Sequence, residues 1–318
     1  AVVADFQFDL WRLATSMVLD LQEREFCNDE LVDKAVKKLG NAYLQAVASA
    51  ELDCPAVRLE TAPKPIRKFL QKVHEKNTRQ QMLSKWTMDG FCRFDFQHEK
   101  LETVDDDLLL AIKSAVDSYH QTRNPVIETV PQVLDVARRT QAGTGSLGNR
   151  RYYVLMEGCS PDENVILDIK QQREPASVAV MPRQERYWYR ETFTHEGRRH
   201  ANAYRAIAEH PDSWLGWLSI HDQLYSVRER SPFKKDYPAQ KLDANEYLEM
   251  ASIWGEVLGR EHARGSFCMQ EPENAFTAFV RNNLMPERKA FVRLLRAVAP
   301  HYARCVQQDW QVFCDMQE

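Results

Sequence analysis

Apolar residues at helical spacing open the chain. Leu10, Leu13, Ala14, Met17, Val18 and Leu21 share one face, and Asp5 or Asp9 stands where a helix cap belongs. Asn28 or Asp29 caps a second predicted helix, Glu30 to Ala50, with Leu31, Ala35, Leu39, Ala42 and Ala46 turned inward. Pro55, Pro63 and Pro65 then break the pattern. A basic segment from Ile66 to Trp86 reads as helix, and Lys64, Arg67, Lys68, Lys72, Lys76 and Arg79 read as its solvated face, with an anion site as the alternative. Phe91 to Phe96 reads as a strand opened by the Asp89-Gly90 turn. Asp105 to Tyr119 reads as a helix, with Asp105, Asp106 and Asp107 at its N-terminus, where carboxylates suit the helix dipole better than a metal cluster.

The period then changes from helical to alternating. Val130 to Arg138, Arg151 to Met156 and Val165 to Ile169 read as strands rich in β-branched and aromatic residues. Val178 to Tyr189 fits neither period, and Tyr187, Trp188 and Tyr189 are expected to cover the preceding hairpin. A helix from His195 to Glu209 follows, with a stripe of Gly197, Ala201 and Ala208. Trp214 to Ser219 and Gln223 to Arg230 read as strands around the turn His221-Asp222. Asn245 to Arg264, Ala275 to Arg281 and Pro286 to Asp315 read as closing helices. The expected class is α+β, divided as residues 1–125 helical, 126–232 strand-rich and 233–318 helical. Residues 130–230 should form one antiparallel sheet with the His195 helix packed on it.

Composition narrows the functional classes. The net charge of the 318 residues is −4, which favours neither nucleic acid nor an anionic membrane as a partner. No apolar run approaches the roughly 20 residues of a membrane helix, and no signal-peptide pattern opens the chain. The seven cysteines are scattered without a C-x-x-C, which points to small core residues in a reducing cytoplasm. Histidines and cysteines do not cluster at zinc-ligand spacing, and there is no G-x-S-x-G.

Three of the eleven glycines fall within six residues: Gly143, Gly145 and Gly148 form a G-x-G-x-x-G. Strand-forming residues follow them, and the second strand beyond ends on Lys170. A dinucleotide-binding fingerprint needs a helix at that point. A glycine loop entering a hairpin, with a lysine at the far end, is how protein kinases hold ATP phosphates. The alternative is a glycine-rich turn beside a solvated lysine.

Further blocks extend the comparison. Phe8-Asp9-Leu10-Trp11-Arg12-Leu13-Ala14-Thr15-Ser16 resembles the W-D-L-K-R-L-A-x-S segment of a bacterial family, domain of unknown function 2252. The likeness continues through Gly143 to Val154, Leu167 to Lys170, Trp214 to Trp217, Tyr225 to Arg228 and Arg260 to Arg264, in the family's order.

This resemblance implies a two-lobed protein-kinase-like fold, circularly permuted, with a mostly helical large lobe and a small antiparallel-sheet lobe. The catalytic-loop and metal-binding segments, G-D-x-H-x-x-N and D-F-D, would precede Ala1. Catalytic residues and Mg²⁺ ligands are therefore not assigned within this chain. Gly143, Thr144, Gly145, Ser146 and Gly148 would close over the phosphates of ATP, and Lys170 would pair with phosphate oxygens. Arg228 would end the last small-lobe strand near a hinge. Asp9 would cap and brace its helix, Arg12 would pair with a carboxylate, and His262 and Arg264 would end the helix before the catalytic loop.

Kinases pair this lysine with a helix glutamate. The family often has an acidic residue where Asn202 stands; Glu196, Glu174 and Glu191 are the alternatives. Lys170 is expected to point beneath Gly143 to Gly148. Ala1, Val2 and Val3 are expected at the mouth of the cleft, and Leu13 and Met17 in the large-lobe core. The resemblance implies an ATP-dependent phosphotransferase acting on a small molecule rather than a protein, since no A-P-E-like segment occurs. The alternative is a non-catalytic, pseudokinase-like module that binds a nucleotide, or nothing, and works through a partner. Neither reading sets the oligomeric state.

Overall fold

The computed structural model describes residues 5–52, 54–126, 131–141, 143, 148–269, 272 and 274–316. The expectations for Ala1, Val2 and Val3 lie outside these residues. The chain divides into two compact units, one of residues 68–205 and 210–236, the other of the segments before, between and after them.

The second unit is helical. Its elements are α1 (Gln7–Gln22), α2 (Asp29–Ala48), α8 (Ala244–Met269), the short α9 (Ala275–Phe279) and α10 (Arg288–Asp315). Of the two aspartates offered as caps for α1, Asp5 makes the contact, its Oδ1 accepting from the Gln7 N–H at 2.9 Å. Asn28 caps α2, accepting from the Leu31 N–H at 2.8 Å. The α1 face read from the sequence is the buried one: Leu10, Ala14, Met17, Val18 and Leu21 join Leu39, Tyr43, Leu44, Tyr247 and Leu295 in one core. Leu13 packs at its margin, partly buried. Helices α2 and α8 run backbone against backbone, and a Cβ on Gly255 would stand 2.3 Å from the Leu39 carbonyl oxygen.

The first unit is built on a sheet. Before it come α3 (Lys64–Lys76), which enters from the helical unit, and α4 (Arg79–Trp86), with β1 (Thr87–Met88) and β2 (Arg93–Phe94). The basic segment expected as one helix is therefore two. Thr78 and Gln81 form a reciprocal capping box that starts α4 afresh after Asn77. The strand expected from Phe91 to Phe96 shrinks to Arg93–Phe94, because Asp89, Gly90 and Phe91 all take positive φ in the turn.

Next come β3 (Leu101–Glu102), α5 (Asp106–Tyr119), β4 (Val133–Arg139), β5 (Arg151–Met156), β6 (Val165–Gln171), α6 (Arg183–Thr192), α7 (Glu196–Ile207), β7 (Gly216–Ile220) and β8 (Gln223–Glu229). Asp105 caps α5, accepting from the Leu108 N–H at 2.9 Å. Strands β3 to β8 make one antiparallel sheet in the order β3-β4-β5-β6-β8-β7.

Alternation gives this sheet two faces. Tyr152, Val154, Met156, Leu167, Ile169, Tyr225 and Val227 face Leu108, Ile112, Val116 and Tyr119 of α5. On the opposite face, Ala137, Tyr153, Leu155 and Ile166 pack against Met82, Leu83, Trp86, Phe94 and Leu101. Helix α7 lies over β8, with Gly197 against the Tyr225 carbonyl. Arg198 and Arg205 of α7 lie over Trp217 of β7, which pairs with Ser226 and thus shares the Lys170 face.

The ambiguous stretch becomes a 3-10 turn, Ala176–Val180, followed by α6. Only Tyr189 of its three aromatics is buried. Tyr187 and Trp188 are exposed and do not cover the hairpin: on a short helix, adjacent side chains point in different directions, so one contact face buries one of the three.

Candidate functional site

The glycine segment joins β4 to β5, which are hydrogen-bonded neighbours, so it is the loop of a hairpin. Residues 149–151 lead into a strand, and no helix follows the glycines. Gly148 has φ of +71°, a conformation glycine adopts without strain, and its carbonyl accepts from Arg173 Nη2 at 2.8 Å. Thr144, Gly145 and Ser146 lie outside the described residues.

Register places the charges. Lys170 on β6 stands opposite Arg151 on β5 and Ser226 on β8, and Asp168 stands opposite Arg228. Period 2 then puts Arg151, Asp168, Lys170 and Arg228 on one face. The Asp168 carboxylate is buried and taken by Arg151, whose Nε and Nη2 each lie 2.6 Å from an oxygen. Arg228 stands 3.6 Å from the same carboxylate. Lys170 has no ion pair among the described residues. Burial lowers its pKa most, the neighbouring Arg151 guanidinium adds to this, and Asp168 opposes it.

Of the acidic partners considered for Lys170, Glu196 and Glu174 are engaged elsewhere and Glu191 is exposed. Glu196 accepts from the Tyr189 hydroxyl and pairs with Arg199, and Glu174 pairs with Arg190. Asn202 accepts from Arg205 at 3.4 Å.

Beside the glycine segment is a cavity of about 370 Å³. Gly143 and Tyr153 line it, with five cations (Arg139, Arg151, Arg230, Lys234 and Lys235) and one carboxylate, Asp236. Lys170 is adjacent to Arg151 but does not itself line it. Arg139 and Arg230 rest on the Trp86 ring, at 5.3 and 4.7 Å from its centroid, and each lies 5.8 Å from that of Tyr153. Trp86 in turn stacks on His98 at 4.3 Å. Arg139 Nε and Nη1 and Arg230 Nε are buried without a hydrogen-bond partner among the described residues. Burial lowers the Arg230 pKa, with Tyr153 and Asp168 opposing.

A family model described as an uncharacterized protein conserved in bacteria (DUF2252) matches residues 1–316. The chain belongs to the DUF2252 family. No curated protein and no solved structure matches it.

In this DUF2252 chain the remaining candidates lie in the helical unit. Asp9 Oδ2 is 3.5 Å from His262 Nε2, and the Tyr43 hydroxyl is 2.8 Å from His262 Nδ1. The hydrogen bond with His262 holds the Asp9 carboxyl below its ordinary range against an opposing effect of burial, and Arg12 adds a smaller pull. Arg12 itself is exposed and makes no ion pair among the described residues. Arg264 donates to the carbonyls of Ile207 and Cys54. Among the described residues no group of three His, Cys, Asp or Glu could hold a metal ion. No helix there is long and apolar enough to cross a membrane.

Sequence reading missed Arg139, Arg151, Arg230, Lys234 and Lys235. Strand alternation carried a signal for one of them, since Arg151 and Lys170 end adjacent strands on the same face. Nothing in the sequence tied Arg230 or the Lys234-Lys235 pair to the glycines.

Proposed function

We propose that this DUF2252 chain is an ATP-dependent phosphotransferase of circularly permuted, protein-kinase-like fold, acting on a small molecule in the cytoplasm. One observation carries the reading: the glycine hairpin opens onto a cavity lined by five cations, with Lys170 adjacent on the next strand. The surrounding order supports it. Glycine hairpin, lysine strand, the helices α6 and α7 and two further strands follow in order, and a glycine hairpin, lysine strand, helix and two strands cover ATP phosphates in kinases.

Backbone N–H groups around Gly143 and Gly148 would approach the phosphates, Lys170 and Arg151 would draw off charge, and Arg228 would hold Asp168 from its other side. Mg²⁺, when bound, bridges phosphate oxygens and neutralises charge. The described residues do not compose a site for it, and no step here runs through it.

A second reading is a binding module without turnover. Its support is the lack of an acidic partner for Lys170 among the described residues, since active kinases need the lysine–glutamate pair. Calorimetry with ATP, followed by an assay of ATP consumption over a panel of small-molecule acceptors, separates the two. Binding with turnover favours transfer, binding without turnover favours the nucleotide-binding module, and no binding removes the phosphotransferase and leaves only a module that works through a partner.

A further inference from the structure

We propose that Arg139 and Arg230, held by Trp86 and Tyr153 in the wall of this cavity, form a clamp for a phosphate dianion, either free or as the monoester group of a small metabolite. The clamp shares its cavity with the proposed nucleotide site but does not depend on ATP or on transfer.

The first ground is unmet hydrogen bonding. A buried donor left without a partner costs about 1–3 kcal/mol, and more when it belongs to a charged group. Three guanidinium nitrogens on the two arginines are in that condition among the described residues. Ring contacts offset part of the charge but offer no acceptor to N–H groups. The second ground is that nearby carboxylates are engaged. Asp168 is held by Arg151 in a two-point pair, Glu229 pairs with Arg79 at 2.9 Å, and Asp135 accepts from the backbone N–H groups of Phe94 and Val136.

The third ground is charge. With Arg151 already paired to Asp168, four cations (Arg139, Arg230, Lys234 and Lys235) stand against the single Asp236 carboxylate and call for more than one negative charge, which selects a phosphate dianion over a monocarboxylate. Guanidinium forks match phosphate oxygens two at a time, and both forks lie against the Trp86 and Tyr153 rings. The volume, about 370 Å³, exceeds what phosphate alone needs, leaving room for the rest of a small ester.

The test is calorimetry on the full chain with inorganic phosphate, a sugar monophosphate, the uncharged parent sugar and ATP, at ionic strength matched with chloride. Phosphate and the monoester should bind, and the parent sugar should not. R139Q and R230Q should each weaken phosphate at least tenfold, and R183Q, on exposed α6, should not. R139K and R230K keep charge and packing while losing the fork, so they keep the test open if the glutamine variants fold poorly. They should weaken phosphate several-fold.

Phosphate that binds no better than chloride, or that is indifferent to R139K and R230K, overturns the clamp. If the monoester binds tighter than phosphate, the metabolite is the source; if equally, free phosphate is. Phosphate bound without ATP sustains the clamp and removes the phosphotransfer reading. ATP bound without any phosphate site does the reverse.

Discussion

Arg151 and Asp168 face each other across β5 and β6, with both guanidinium contacts at 2.6 Å and the carboxylate buried. This pairing takes up the carboxylate at the centre of the sheet face and leaves the cations around it short of a counter-charge. Asp168→Asn keeps the shape and removes the charge. Breaking a buried pair from one side costs about 3–5 kcal/mol, so urea unfolding should show a loss of that order. Phosphate affinity, read by calorimetry, should rise because the cavity becomes more positive. A variant as stable as the parent would mean the pair is dispensable.

Lys170→Ala should weaken ATP at least tenfold while changing stability by no more than about 0.5 kcal/mol. Its ammonium is disfavoured by burial and by Arg151, so its loss removes a repulsion. A lysine whose folded pKa is lowered binds fewer protons folded than unfolded. Its contribution to stability therefore rises with pH from the folded pKa up to the ordinary lysine value. K170A should flatten that alkaline slope in denaturation curves. Undiminished ATP binding in K170A would remove the lysine from the site.

His120, in the turn after α5, should make the protein acid-sensitive. Burial first, and the Arg123 guanidinium second, push its pKa down to about 4. Its Nδ1 lies 3.5 Å from Arg123 Nη1, and its Nε2 has no hydrogen-bond partner among the described residues. The folded state thus holds imidazole neutral while the unfolded chain protonates it near pH 6.5. Stability should be full above that value and fall as pH drops toward 4, by about 3 kcal/mol for the full shift. His120→Gln should reduce the slope between pH 6.5 and 4. An unchanged slope would place the acid sensitivity elsewhere.

Two glycines should respond oppositely to alanine. A Cβ on Gly197 would stand 2.1 Å from the Tyr225 carbonyl oxygen, so α7 would have to leave β8. Gly197→Ala should cost about 2 kcal/mol or more, as overpacking does. A Cβ on Gly143 meets nothing within 4 Å among the described residues, so Gly143→Ala should fold normally and report on ligand affinity alone. Equal thermal stability of the two variants would contradict the close α7–β8 approach.

Most of the elements, and the family, were legible in the chain alone. Period-3.6 stripes placed α1 and α2 and named their buried faces, because burial of one stripe is a local requirement of each amphipathic helix. Runs of β-branched and aromatic residues placed β5 and β6, and strand-forming residues after Gly148 excluded a dinucleotide fingerprint. The blocks from Phe8 to Arg264 carried DUF2252 membership. Only the tertiary structure decided which charges share a surface. Arg139 and Arg230 stand 91 residues apart in the chain and meet at Trp86, because sheet order sets β4 and the end of β8 on either side of β5 and β6, and α4 brings Trp86 over them. Pairing between distant strands is fixed by the whole packing rather than by any local pattern. For the same reason only the folded chain leaves Asp168 on Arg151 and leaves Arg139 and Arg230 without an acceptor among the described residues.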